Sequence, residues 1–251
     1  MKSRIRDLWA AGRLCLIMTG VIMMVLSGMI LEGCGKTAEK EARIKKILEE
    51  KYGEEFEVTR VYGQGVMEKY YTAEAYAVEY PDLPFPLNID EEGGSFMDGY
   101  VMKRGTNLMA SQAAVNLGGL RNPFYVHVQS MFPNSVSTNP NQTLKEYLAS
   151  EETNFFTFYL YLDVDGETPE SLYASLRNML AGMEEAEGSV EIFFGDEKLM
   201  DQIREYVESH ATLEDDYSKI GRDRHVMGIR FNNGVLDISE DCFLDKAGNG
   251  F

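Results

Sequence analysis

Asn154-Phe-Phe-Thr-Phe-Tyr-Leu-Tyr-Leu-Asp-Val164 alternates with a period of two and carries large side chains on both of its faces. Phe156, Phe158, Leu160 and Leu162 fall on one side; Phe155, Thr157, Tyr159 and Tyr161 fall on the other. A strand that is apolar or aromatic on both faces belongs inside a sheet. Working outward, Thr168-Pro169 supplies an N-cap and a first-turn proline for a helix over Glu170–Glu185. Its inward stripe is Leu172, Leu176, Met179, Leu180 and Met183. Ser189–Phe194 reads as the next strand, and Asp196 caps a helix through Glu208, with Leu199, Ile203 and Val207 inward. Val226–Phe231 and Val235–Ile238 flank Asn232-Asn-Gly234, a hairpin turn. In the other direction, Phe124–Met131 is a strand followed by the polar loop Asn134–Gln142. Thr143-Leu-Lys-Glu146 is a capping box opening a short helix to Ala149.

The first half is patterned differently. Ile44, Ile47, Leu48 and Lys51 step at helical spacing within Glu39–Lys51, and Tyr52-Gly53 ends that helix. Glu54–Tyr62 and Thr72–Tyr80 alternate as half-buried strands, joined by a turn at Gly63-Gln-Gly65. Pro81, Pro84 and Pro86 confine Phe85–Ile89 to an edge strand or a loop, because proline cannot donate to a ladder. Glu91–Ser95 is a turn, and Arg104–Leu117 is a helix with Leu108, Met109, Ala113 and Leu117 on one side, closed by Gly118-Gly119. The expected class is α+β: an N-terminal signal or anchor helix, then mixed sheets packed by amphipathic helices. The expected divisions are 1–33 as signal peptide, 34–38 as tether, 39–119 as a helix–strand module and 120–251 as an α+β region. The last two stand either as separate units or as one body.

Before all of this comes a different kind of segment. Lys2, Arg4, Arg6 and Arg13 face a single acid, Asp7, and the 18 residues Leu14–Leu31 carry no charge. A basic flank followed by an apolar run is an export signal. The run closes on Leu31-Glu32-Gly33-Cys34, which resembles the lipobox of bacterial lipoproteins, with Glu32 standing where a small uncharged residue is usual. The resemblance implies a diacylglyceryl group on Cys34, cleavage before it, and a body held by lipid at the extracytoplasmic face of the cell membrane. The alternative is an uncleaved single span with the same topology. Ile47-Leu-Glu-Glu-Lys-Tyr-Gly-Glu-Glu-Phe-Glu-Val58 and Asp98-Gly-Tyr100 are similar to a module of uncharacterised lipoproteins from gut Gram-positive bacteria, which implies location and no activity.

Cysteine usage agrees with that anchor. The three cysteines are Cys15 in the apolar run, Cys34, and Cys242, so a lipidated Cys34 leaves Cys242 without a disulfide partner. Cys242 then reads as a small buried hydrophobe. The whole chain of 251 residues carries a formal charge of −17, which excludes nucleic acid as a partner. Without the four basic and two acidic side chains of residues 1–33, 20 basic and 39 acidic groups remain, net −19. Such a body favours neutral or cationic ligands and stands off anionic surfaces.

No set of residues here makes a catalytic or cofactor signature. Asp163-Val-Asp165-Gly166-Glu167 lacks the ligand spacing of a calcium loop and reads as a strand end, turn and helix cap. Glu214-Asp215-Asp216 reads as a solvated acidic run. His127, His210 and His225 are scattered, with no zinc spacing. His127 points away from Val126 and Val128, and His225, after Arg222-Asp-Arg224, is expected to pair with a neighbouring carboxylate. No Gly-x-Ser-x-Gly elbow or phosphate loop occurs. The tyrosines Tyr70, Tyr71, Tyr76 and Tyr80 read as strand surface and packing. With its single Trp at Trp9, inside the signal, the exported part lacks a common sugar-stacking residue. The sequence therefore predicts an anchored, non-enzymatic binding or accessory protein with no cofactor and no metal, its partner a surface protein or small ligand. A surface hydrolase built from separated carboxylates and histidines, and a span-tethered sensor, are the rival readings.

Overall fold

The computed structural model describes residues 37–62, 70–90, 96–122, 124–131, 138–150, 155–209 and 224–247. Cys34, the charge-free run Leu14–Leu31, the Gly63–Gly65 and Glu91–Ser95 turns, His210 and Glu214–Asp216 lie outside them. Among the described residues no helix is long and apolar enough to cross a membrane.

The chain is α+β, with two sheets. Helix α1 (37–52) is followed by β1 (Phe56–Val61), β2 (Tyr70–Ala77), β3 (Phe85–Asp90) and β4 (Phe96–Asp98). These strands form an antiparallel meander in the order β1-β2-β3-β4. Ala73, Ala75 and Ala77 put almost no volume on the inner face of β2. Ile44 and Leu48 of α1 fill that space, flanked by Phe56, Phe85, Leu87 and Ile89. Each large side chain so buried contributes about 1.5–3 kcal/mol.

Phe85–Ile89 is an interior strand, contrary to the edge or loop expected from its prolines. β3 pairs with β2 on one side and β4 on the other. Pro86 tolerates this because its carbonyl faces β4 and accepts the Gly99 N–H at 2.9 Å, so its ring nitrogen faces the same way. The carbonyl that a Pro86 N–H would have met, that of Gly99, is occupied by the Lys103 N–H at 2.8 Å. The missing donor therefore leaves nothing unsatisfied.

Helix α2 (Tyr100–Asn116) begins four residues ahead of the expected Arg104. Its first residue belongs to the core of the first sheet, and Met109, Ala113 and the following Leu117 belong to the core of the second. Then come β5 (Phe124–Ser130), α3 (Leu144–Ser150), β6 (Phe155–Asp163), α4 (Pro169–Met179), β7 (Glu187–Gly195), α5 (Glu197–Ser209), β8 (His225–Asn232), β9 (Val235–Leu236) and α6 (Glu240–Ala247). The second sheet has the order β5-β6-β7-β8-β9, with β6 and β7 parallel and the remaining pairs antiparallel. Helix α4 makes the crossover that a parallel pair requires. Its Thr168 cap and Pro169 are as expected. It ends at Met179, not Glu185: the Ala181 and Met183 N–H groups bond three residues back, and Gly182 takes φ +86°. Leu180 and Met183 are nevertheless buried. The hairpin turn is formed by Asn233 and Gly234, both at positive φ. Cys242 is exposed, contrary to the buried reading, because α6 turns Phe243 and Ala247 inward and leaves Cys242 on the outer side.

Candidate functional site

The inner face of the second sheet carries Val128, Phe156, Phe158, Leu160, Leu162, Val190, Ile192, Phe194, Ile229 and Phe231 against α2, α4 and α6. The outer face is therefore built from the alternate residues of the same strands. Register aligns these in rows. Tyr125, Tyr161, Phe193 and His225 form one row, and His127, Tyr159, Glu191 and Gly228 the next. Gln129, Thr157, Ser189 and Arg230 follow.

Helix α5 covers the first row. Leu199, Met200 and Ile203 pack with Tyr161 and Phe193 in a small separate cluster, and the Tyr161 and Phe193 rings stack at 4.6 Å. Asp196 fixes the start of α5 by accepting the Leu199 N–H at 2.9 Å. Tyr159 of the next row also packs against this cluster, and no described helix packs on the row Gln129, Thr157, Ser189 and Arg230. Gln129 and Arg230 are exposed, and Thr157, Ser189, Tyr159 and Glu191 are half-buried.

His225 Nε2 meets Glu191 Oε2 at 2.9 Å, the intramolecular pair expected from the sequence. Gly228 lies opposite Glu191, and a Cβ there would stand 2.8 Å from that same oxygen, so the glycine makes room for the carboxylate. The pair is an acid–base couple, but among the described residues no hydroxyl or thiol is hydrogen-bonded to the His225 ring. His127 stacks obliquely on Tyr159 at 6.3 Å, and Tyr159 Oη donates to Gln129 Oε1 at 3.3 Å. Burial, with the charge of Lys103 adding to it, pushes the His127 imidazole down from 6.5 to about 3. It is a neutral ring at every ordinary pH.

At the end where β6 and β7 begin and β8 turns into β9, the face runs into an open cleft of about 690 Å³. Its walls include Phe155, Glu187, Arg230, Asn232, Val235 and Asp237. Gly188 beneath it leaves no room for a side chain: a Cβ would lie 1.8 Å from the Phe156 carbonyl oxygen.

A second polar cluster joins α1, β4 and α2. The Asp98 carboxylate, its side chain fully buried, accepts Tyr52 Oη at 2.7 Å, the Tyr100 N–H at 3.1 Å and Lys51 Nζ at 2.8 Å. Tyr100 Oη donates to Glu54 and receives Arg104 Nη1 at 3.1 Å, while the Arg104 guanidinium lies 3.7 Å from the Tyr80 ring centre. Both phenols are pushed up, first by burial and then by the carboxylate each faces. A phenol held in its protonated form serves as a fixed donor, so this cluster is a clamp and not a base.

The remaining sequence candidates find structural roles. Asp163 accepts the Asp165 N–H, Gly166 turns at φ +74°, and Glu167 Oε2 accepts Ser171 Oγ at 2.7 Å beside the α4 cap. No group of His, Cys, Asp or Glu able to hold a metal occurs among the described residues. Tyr71 is buried beneath Lys40, and Tyr70 is exposed. Sequence reasoning missed Thr157, Ser189, Glu191, Arg230 and Asn232. The available signal was the outer parity of strands whose inner parity was already assigned.

No protein-family model matches the sequence, and no curated protein matches it. A solved structure does match: the crystal structure of a DUF5037 family protein from Ruminococcus gnavus ATCC 29149, with a TM-score of 0.63 at 17 % identity. The match covers 83 % of this chain and 98 % of that chain. It shows a shared fold. The neighbour comes from a gut Gram-positive bacterium and belongs to an uncharacterised family, and so carries no activity to compare.

Proposed function

We propose that the chain is an exported, lipid-anchored protein of a Gram-positive cell surface that works by binding, and that its binding surface is the open part of the outer face of the second sheet. The anchor rests on the basic flank, the charge-free run Leu14–Leu31 and Leu31-Glu32-Gly33-Cys34. Helix α1 is under way by residue 37, so a lipid on Cys34 would hold the body close to the bilayer. The observation that carries the binding reading is the division of one sheet face into two halves. α5 closes the aromatic half, Tyr159 included, and the half bearing Gln129, Thr157, Ser189 and Arg230 has no described cover. Hydroxyls, an amide and a guanidinium on a rigid sheet suit a hydrogen-bonding ligand of modest affinity.

The test is a ligand array. Full-length protein in detergent micelles is screened against neutral and cationic oligosaccharides and short peptides, with Ser189→Arg to obstruct the face and Lys46→Ala on α1 as control. The expected result is a bound ligand lost on Ser189→Arg and retained on Lys46→Ala. A ligand that ignores Ser189→Arg would place binding elsewhere.

A further inference from the structure

Arg230 is exposed and makes no ion pair among the described residues, in a chain where 41 acids face 24 basic groups. By contrast Lys45, Lys46 and Lys51 each lie within 4.0 Å of a carboxylate. The isolation of Arg230 does not come from distance along the sheet. Asp237 stands across the ladder from it, its N–H donating to the Arg230 carbonyl at 2.8 Å, and Glu187 lines the same cleft. The backbone brings cation and acids to one cleft, and their side chains do not pair.

Apolar surface lies next to this cation. Val235 at the hairpin is 68 % exposed, and Phe155 and Leu236 continue the wall. Asn232 adds an amide. A planar guanidinium with five donors matches a carboxylate in two-point geometry. Glu187 and Asp237 leave the cleft net negative, which disfavours a dianion more than a monoanion; only a single carboxylate in direct contact with Arg230 offsets that repulsion, and the two acids accept N–H or O–H donors carried by the same ligand. The negative body disfavours polyanions further.

We propose that this cleft takes a small monocarboxylate carried on an apolar body with neighbouring hydrogen-bond donors, of the kind found at the carboxyl end of a short peptide, with Arg230 as the anion contact. The assignment deepens the binding-surface reading above and rests on it. Phe155, Val235 and Leu236 favour a peptide end over a sugar acid, which shares the carboxylate but offers little apolar surface.

The experiment is equilibrium dialysis of the full-length protein in dodecylmaltoside micelles, with empty micelles as blank. The probes are N-acetyl-alanyl-phenylalanine, its C-terminal amide, glucuronic acid and a neutral oligosaccharide. The native protein should bind the peptide acid at least tenfold more tightly than the amide, and more tightly than glucuronic acid. Arg230→Gln, on the surface and with its fold checked by circular dichroism, should bring the acid down to the level of the amide. Equal binding of acid and amide, an acid affinity unchanged in Arg230→Gln, or tighter binding of glucuronic acid would each overturn the assignment. Binding of the neutral oligosaccharide alone, abolished by Ser189→Arg, would overturn it too while leaving the open-face reading standing.

Discussion

Gly105 is where α2 and α3 touch, and the contact can be tested by the sign of a free-energy change. A Cβ built on Gly105 would lie 2.3 Å from two ring carbons of Tyr147. Tyr147 is 1 % exposed and is backed by Phe156, ring centres 6.2 Å apart, so the ring has little room to retreat. On an unobstructed helix, Gly→Ala stabilises by about 1 kcal/mol. Overpacking of this kind costs about 1–3 kcal/mol. Gly105→Ala should therefore be net destabilising, by up to about 2 kcal/mol. Tyr147→Ala alone should cost about 3–5 kcal/mol as a large-to-small change in a core. In the Tyr147→Ala background the obstruction is gone, and Gly105→Ala should become stabilising by about 0.5–1 kcal/mol. The assay is urea unfolding of the four proteins followed by far-ultraviolet circular dichroism. The same penalty for Gly105→Ala in both backgrounds would refute the packing argument.

Two further outcomes follow from the polar interior. Asp98→Ala removes the acceptor of Tyr52 Oη, the Tyr100 N–H and Lys51 Nζ together. It should cost about 3–5 kcal/mol, against about 1 kcal/mol for Tyr52→Phe, read by the same urea titration. His127 is held near pKa 3 in the fold against 6.5 when free, so between those values the unfolded chain binds a proton that the folded chain does not. Stability should be complete above pH 6.5 and fall on acidification, by at most about 1.4 kcal/mol per pH unit. Between pH 6.5 and 5, before carboxylates add their own loss, His127→Gln should flatten this slope; an identical slope in the variant would contradict it.

The parts of the fold legible in sequence were those with local causes. Thr143-Leu-Lys-Glu146 makes its capping box, with the Thr143 N–H on Glu146 Oε2 at 2.7 Å. Thr168-Pro169 starts α4, Asn233-Gly234 turns the last hairpin, and the two-faced alternation of Phe155–Asp163 places β6 between two neighbours. The misread parts depend on partners far along the chain. Whether Pro86 can sit inside a sheet turns on Gly99, whose carbonyl is committed to α2. The exposure of Cys242 turns on which side of α6 meets the core, and that eight-residue helix has too short a pattern to be recognised alone. The candidate site was illegible for the same reason. Thr157, Ser189 and Arg230 come from three strands and carry no common spacing; only the register of β6, β7 and β8 sets them in one row. What covers half of that row's face, helix α5, was recognised as a helix but not as a lid on Tyr161 and Phe193.

The central claim, that this body acts while tethered at the outer face of a membrane, is tested most directly by the intact mass of the membrane-associated protein beside a Cys34→Ser variant. The account predicts a mass equal to Cys34–Phe251 plus a diacylglyceryl-bearing anchor, absent from the variant. A mass that still contains Met1–Gly33, unchanged by Cys34→Ser, would contradict lipidation and put an uncleaved span in its place.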